Sequence, residues 1–142
     1  MKISYFPDFY PDELIYSAAS RYIDHLQLPF HRSVSIHFFN KKASGATLDF
    51  PFGLQYLIDR LPDGHIYTDE MLINQHTLYP VYAPFLRAHQ SQFIREQMKW
   101  DGRRIFTAAG LAHSKVSRPR WLRYCPLCVK EEREQLEQLS RK

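Results

Sequence analysis

The sequence predicts a mainly α-helical domain, and three observations carry that reading. Apolar residues recur three and four positions apart in successive short segments; prolines and glycines punctuate those segments; and no run reads clearly as a set of parallel strands. At 142 residues, with 44% hydrophobic and 15% aromatic residues, the chain has the make-up of an ordered core, not of a disordered tail.

The opening Tyr5-Phe6-Pro7-Asp8-Phe9-Tyr10-Pro11 is aromatic and proline-rich, so it should run extended and pin its rings onto the domain. A helix follows, with Asp12 as its cap and Leu14, Ile15, Ala18, Tyr22, Ile23 and Leu26 on one face; Pro29 ends it. Residues 32–40, with Val34, Ile36, Phe38 and Phe39, suit a short helix, although their β-branched and aromatic content also suits a strand. Residues 41–47 read as a loop around Ser44-Gly45.

Leu54, Tyr56, Leu57, Ile58 and Leu61 make the next helix, closed by the turn Pro62-Asp63-Gly64. Thr68 is a cap for residues 69–76, where Asp69 and Glu70 suit the positive end of a helix dipole. The acidic pairs Asp12-Glu13 and Asp69-Glu70 both read as helix-start residues, not as acid–base chemistry. Pro80 and Pro84 cannot both lie inside one regular helix, so residues 78–86 should form a turn or two whose aromatics plug the core. Phe93, Ile94 and Met98 mark an amphipathic helix that Gly102 terminates, and Ile105, Phe106, Ala109 and Leu111 mark one more. The last stretch, 130–142, is a charged helix whose thin apolar edge is Val129, Leu136 and Leu139. The chain thus divides into a helical domain over 1–112 and an appendage over 113–142.

Net charge is +4, but its distribution is uneven. Lys99, Arg103, Arg104, Lys115, Arg118, Arg120 and Arg123 are opposed only by Asp101, whereas the acids concentrate in the first 70 residues. With Trp121 and Tyr124 close by, these cations are candidates for phosphate contact with double-stranded DNA; a merely solvated basic face is the alternative. Cys125-Pro126-Leu127-Cys128 is the sharpest local motif, because two thiolates at this spacing can reach one tetrahedral Zn2+. It is half a site. His76, His89 and His113 lack the tight spacing of a second pair and read as core or surface histidines. A dithiol oxidoreductase is the third reading of the cysteines, disfavoured by the lack of a βαβ pattern. No Gly-rich phosphate loop, metalloprotease helix or nucleophile elbow is present, so the sequence does not read as an enzyme. No apolar run reaches the roughly 18 residues of a membrane span, and the start lacks a signal-peptide core, so the expected setting is the cytoplasm.

Three motifs taken together resemble the TniQ/TnsD family of transposition proteins. They are Tyr10-Pro11-Asp12-Glu13-Leu14-Ile15-Tyr16-Ser17 with Arg21-Tyr22, His76-Thr77-Leu78-Tyr79-Pro80-Val81-Tyr82-Ala83-Pro84-Phe85, and Leu122-Arg123-Tyr124-Cys125-Pro126-Leu127-Cys128-Val129. The resemblance implies a helical domain containing a helix-turn-helix-like unit, followed here by half a zinc knuckle formed by Cys125 and Cys128. It implies a non-catalytic selector of target sites that contacts DNA or an RNA-guided complex and recruits an AAA+ transposition ATPase. Tyr79, Tyr82 and Phe85 of the central motif are candidate partner-binding residues, and a protein-interaction module without DNA binding is the alternative function. The family pattern continues with a Trp-rich stretch and a Cys-x-x-His pair, so this sequence resembles the N-terminal portion of a selector, with the tail after Tyr124 poorly anchored.

Overall fold

The computed structural model describes residues 2–27, 38 and 39, 49–112, 115 and 125–140, with side chains described as far as 135. Among these residues the secondary structure is helical throughout. In chain order the helices are α1 (Ile15–Leu26), α2 (Leu54–Ile58), α3 (Asp69–Gln75), α4 (Tyr79–Tyr82), a 3-10 turn (Ala83–Phe85), α5 (Ala88–Lys99), α6 (Ile105–Ala108) and α7 (Pro126–Ser140). No helix among the described residues is long and apolar enough to cross a membrane.

Helices α2, α3 and α5 pack on one another, α4 leans on α3, and α6 folds back on α5. Their inward residues, Leu54, Leu57, Leu72, Ile73, Ile94, Met98 and Ile105, are fully shielded and form one core with Phe38, Phe50 and Leu61. The spacing explains the choice: Ile94 and Met98 lie four apart and so share one face of α5. Phe93, expected on that face, is instead partly exposed. Phe38 and Phe39 are helical and buried, in line with the helix expected there; the rest of 32–40, the loop 41–47 and Pro29 lie outside the described residues.

Thr68 caps α3 as its sequence position predicts, its Oγ1 accepting the Met71 amide at 3.2 Å. Thr68→Ala is expected to lower stability by about 1 kcal/mol, measurable as a shift in the urea midpoint; an unchanged midpoint would mean that water replaces the hydroxyl at no cost.

The start of α1 departs from expectation. Asp12 does not cap it: this residue has φ 58° and forms, with Pro11, the corner of a turn in which the Glu13 amide donates to the Tyr10 carbonyl at 3.1 Å. Leu14 occupies the cap position and makes no side-chain cap bond. Nor is Glu13 a dipole partner. Its carboxylate is only 6% exposed and accepts from the Tyr10 amide (2.9 Å), the Ser17 hydroxyl (2.7 Å) and both Nε (2.9 Å) and Nη2 (2.5 Å) of Arg21. Arg21 also donates to the Asp8 carbonyl at 2.7 Å and lies over the Tyr10 ring at 4.2 Å. Burial alone would raise the Glu13 carboxyl, but the bonds from Arg21, Tyr10 and Ser17 outweigh it and hold the group below the usual carboxylate range.

His76, directly after α3, fastens that corner to the core. Its carbonyl accepts the Ile15 amide at 3.0 Å, its Nδ1 donates to the Glu13 carbonyl at 2.7 Å, and its ring stacks on Phe9 at 4.3 Å. Buried Thr77 donates to the Ile73 carbonyl at 2.6 Å and accepts the Tyr79 amide at 3.1 Å. Two of the sequence motifs therefore meet in space, and both are structural joints.

Candidate functional site

The basic residues picked out in the sequence separate once placed. Lys99, at the end of α5, is drawn toward α3, with Nζ 2.7 Å from Asp69 and 3.9 Å from Glu70, and 3.8 Å from Glu96 on its own helix. Its charge is already matched. Arg103 is 82% exposed and pairs with Asp101, while Arg104 and Lys115 are exposed. Arg118, Arg120, Arg123, His113, Trp121 and Tyr124 lie outside the described residues.

What presents Arg103 and Arg104 is the α5–α6 turn, and its shape follows from Gly102. This residue has φ 69°, where a side chain is disfavoured, and its amide reaches back to the Gln97 carbonyl at 3.0 Å, tying the turn to the last turn of α5. The backbone passes directly over the ring of Phe52: a Cβ at Gly102 would lie 2.2 Å from the ring Cγ. The turn is therefore clamped to the core.

Trp100 stands at the entrance to the same turn. It is 45% exposed and packs against Tyr56 with perpendicular rings 5.8 Å apart. Besides Trp121 and Tyr124, Trp100 with Lys99, Arg103 and Arg104 close to it in sequence carries the same basic-aromatic signal.

The central aromatic motif divides between core and surface. Tyr79 is buried and its hydroxyl bonds to Ser91; Tyr82 is partly buried and donates to Asp49 at 3.1 Å. Phe85 does not plug the core as expected: it is 86% exposed, and Val81, four residues earlier, is exposed as well. Pro80 and Pro84 each fall in the first turn of their short helix, where the missing amide costs nothing.

Cys125 and Cys128 are free and exposed at the start of α7. Pro126 opens the helix, and the Cys125 carbonyl accepts the Val129 amide at 3.1 Å. The backbone amide of Cys128, its thiol and the Leu127 amide all stabilise the Cys125 thiolate and lower its pKa. Such a pair fits two of the four positions that structural zinc requires. Among the described residues no group of three or more His, Cys, Asp or Glu is assembled for a metal; His76 is committed to the α1 joint and His89 is exposed on α5.

Fold and surface define a class: a small α-helical domain whose cations and aromatics stand outward on a clamped turn. Over residues 4–142 the chain matches the family model described as TniQ. It is 30% identical over 125 residues to the transposon Tn7 transposition protein TnsD of Escherichia coli, covering 87% of this chain and 25% of that protein. The chain belongs to the TniQ family. It spans about a quarter of the length of the curated relative that it matches.

Proposed function

We propose that this domain is a non-catalytic adaptor in the selection of target sites for DNA transposition. In this reading Arg103, Arg104 and Lys115, joined by Arg118, Arg120 and Arg123, contact the phosphates of double-stranded DNA. The observation that carries it is the clamped α5–α6 turn, which holds Arg103 and Arg104 outward while Lys99 is tied to acids and cannot contribute without breaking those pairs. Cys125 and Cys128 supply half of a zinc knuckle, which at full ligation would fix the start of α7.

Reversing Arg103, Arg104 and Lys115 to Glu tests the reading. Duplex DNA affinity at low salt is expected to fall more than about tenfold and the salt dependence to flatten, because fewer counterions are released. Equal affinity and an equal salt slope would remove this turn from the DNA contact.

Exposed Phe85 and Val81 support a second, compatible contact with a protein partner: the AAA+ transposition ATPase or an RNA-guided complex implied by the family resemblance. Phe85→Ser should weaken that contact without changing DNA affinity or the melting temperature. A fall in DNA affinity instead would place Phe85 in the nucleic-acid surface.

A further inference from the structure

We infer that Trp100 is a direct nucleic-acid contact, packing its exposed indole edge on the deoxyribose of duplex DNA between phosphates held by Arg103 and Arg104. The inference rests on the DNA-binding reading above and adds to it the residue that grips the sugar.

Four observations carry it. Trp100 is a large amphipathic side chain left half in water at the end of a 12-residue helix whose apolar positions Ile94 and Met98 are fully buried. Its ring packs against Tyr56, which restricts the indole before binding, so it loses less freedom on contact. The turn that follows is fixed by Gly102 over Phe52, which sets Arg103 and Arg104 within a few residues of the indole on rigid backbone. In the ion pair between Arg103 and Asp101 the arginine is 82% exposed, so its guanidinium stands where a phosphate can reach it.

The direction of approach follows from the charges. On the α3 side of α5, Asp69, Glu70 and Glu96 surround Lys99, and Arg95 pairs with Glu70. The cations on that face are matched by acids and offer a polyanion no free positive charge, so the duplex meets the domain from the side of the turn. In an intact duplex the base faces are stacked and covered, which leaves the sugar as the apolar surface an indole edge can reach between neighbouring phosphates.

The test uses the full chain with Trp121→Phe, so that Trp100 is the only tryptophan and its emission reports on one site. A labelled duplex of mixed sequence is titrated at low salt while anisotropy and tryptophan emission are followed together. Emission is expected to change along the same curve as anisotropy, and Trp100→Phe in that background to weaken binding by about fivefold, below the loss typical of full base stacking. Thermal melting of Trp100→Phe shows whether the contact with Tyr56 survives; the emission signal of the intact Trp100 needs no such control. Binding seen by anisotropy with silent tryptophan emission overturns the inference and leaves the DNA reading standing. A flat anisotropy curve at low salt ends both. A larger emission change with single-stranded than with duplex DNA would reassign Trp100 from the sugar to an unstacked base and so overturn the duplex contact.

Discussion

Replacing Gly102 by alanine is expected to lower the unfolding free energy by about 2–5 kcal/mol, combining a left-handed backbone penalty with overpacking in a filled site. The two contributions are independent. At φ 69° any L side chain is strained, and here the new methyl would also enter the ring of Phe52, with its Cγ and Cδ1 within 2.3 Å and its Cβ at 2.8 Å. Those atoms lie near the Phe52 backbone and cannot swing away as the tip of a flexible side chain could. Denaturant titration measures the loss. Gly102→Ala combined with Phe52→Ala separates the causes, because the double variant should relieve the overlap with the ring and leave the backbone strain, the close approach of the two Cβ atoms and the missing ring. If Gly102→Ala alone melts like the parent, the turn is not clamped as described. Under the proposed function this variant should also weaken DNA binding, since it disturbs the residues on both sides of the turn.

The second large effect is expected at Glu13. Glu13→Ala should cost about 2–3 kcal/mol, less than for a fully buried ion pair, because Arg21 remains 31% exposed and can recover some hydration. Its signature is pH dependence. The folded carboxyl lies below its unfolded value, so the stabilisation is complete above the unfolded value and is lost as pH falls through the folded one. In that acid window the parent should lose stability faster than Glu13→Gln, which binds no proton there. Parallel stability curves for the two proteins would show that the pair with Arg21 contributes nothing.

Much of the architecture could be read in advance because its signals are local. Thr68 with two acids behind it marks the start of α3, and the four-residue interval between Ile94 and Met98 marks the inner face of α5. Gly102 after the last periodic residue marks its end. The start of α1 misled for a physical reason. Asp and Glu before an apolar run serve equally as caps or as partners of an arginine two turns on, and only the fold shows that Glu13 points to Arg21. Exposure was the other hidden quantity. Hydropathy cannot tell Phe85 from Phe50, yet one is open to water and the other sealed. Lys99 looked equivalent to Arg103 in the sequence, but three acids, two of them on α3, claim it. Trp100 was not legible as a surface residue because its exposure is decided by the fold and not by hydropathy.

The bonds between His76 and the residues just before α1 join positions 63 apart, with the Ile15 amide returning to the same histidine. A ring that large is closed at an entropic cost that rises only with the logarithm of its length; doubling it would add about 0.6 kcal/mol. Lengthened chain between the two anchored ends should therefore be tolerated by relatives that keep the histidine and the corner. The same long closure also means that this joint must wait for the core beneath it, so amides on either side of it should be among the last to gain protection from hydrogen exchange during refolding.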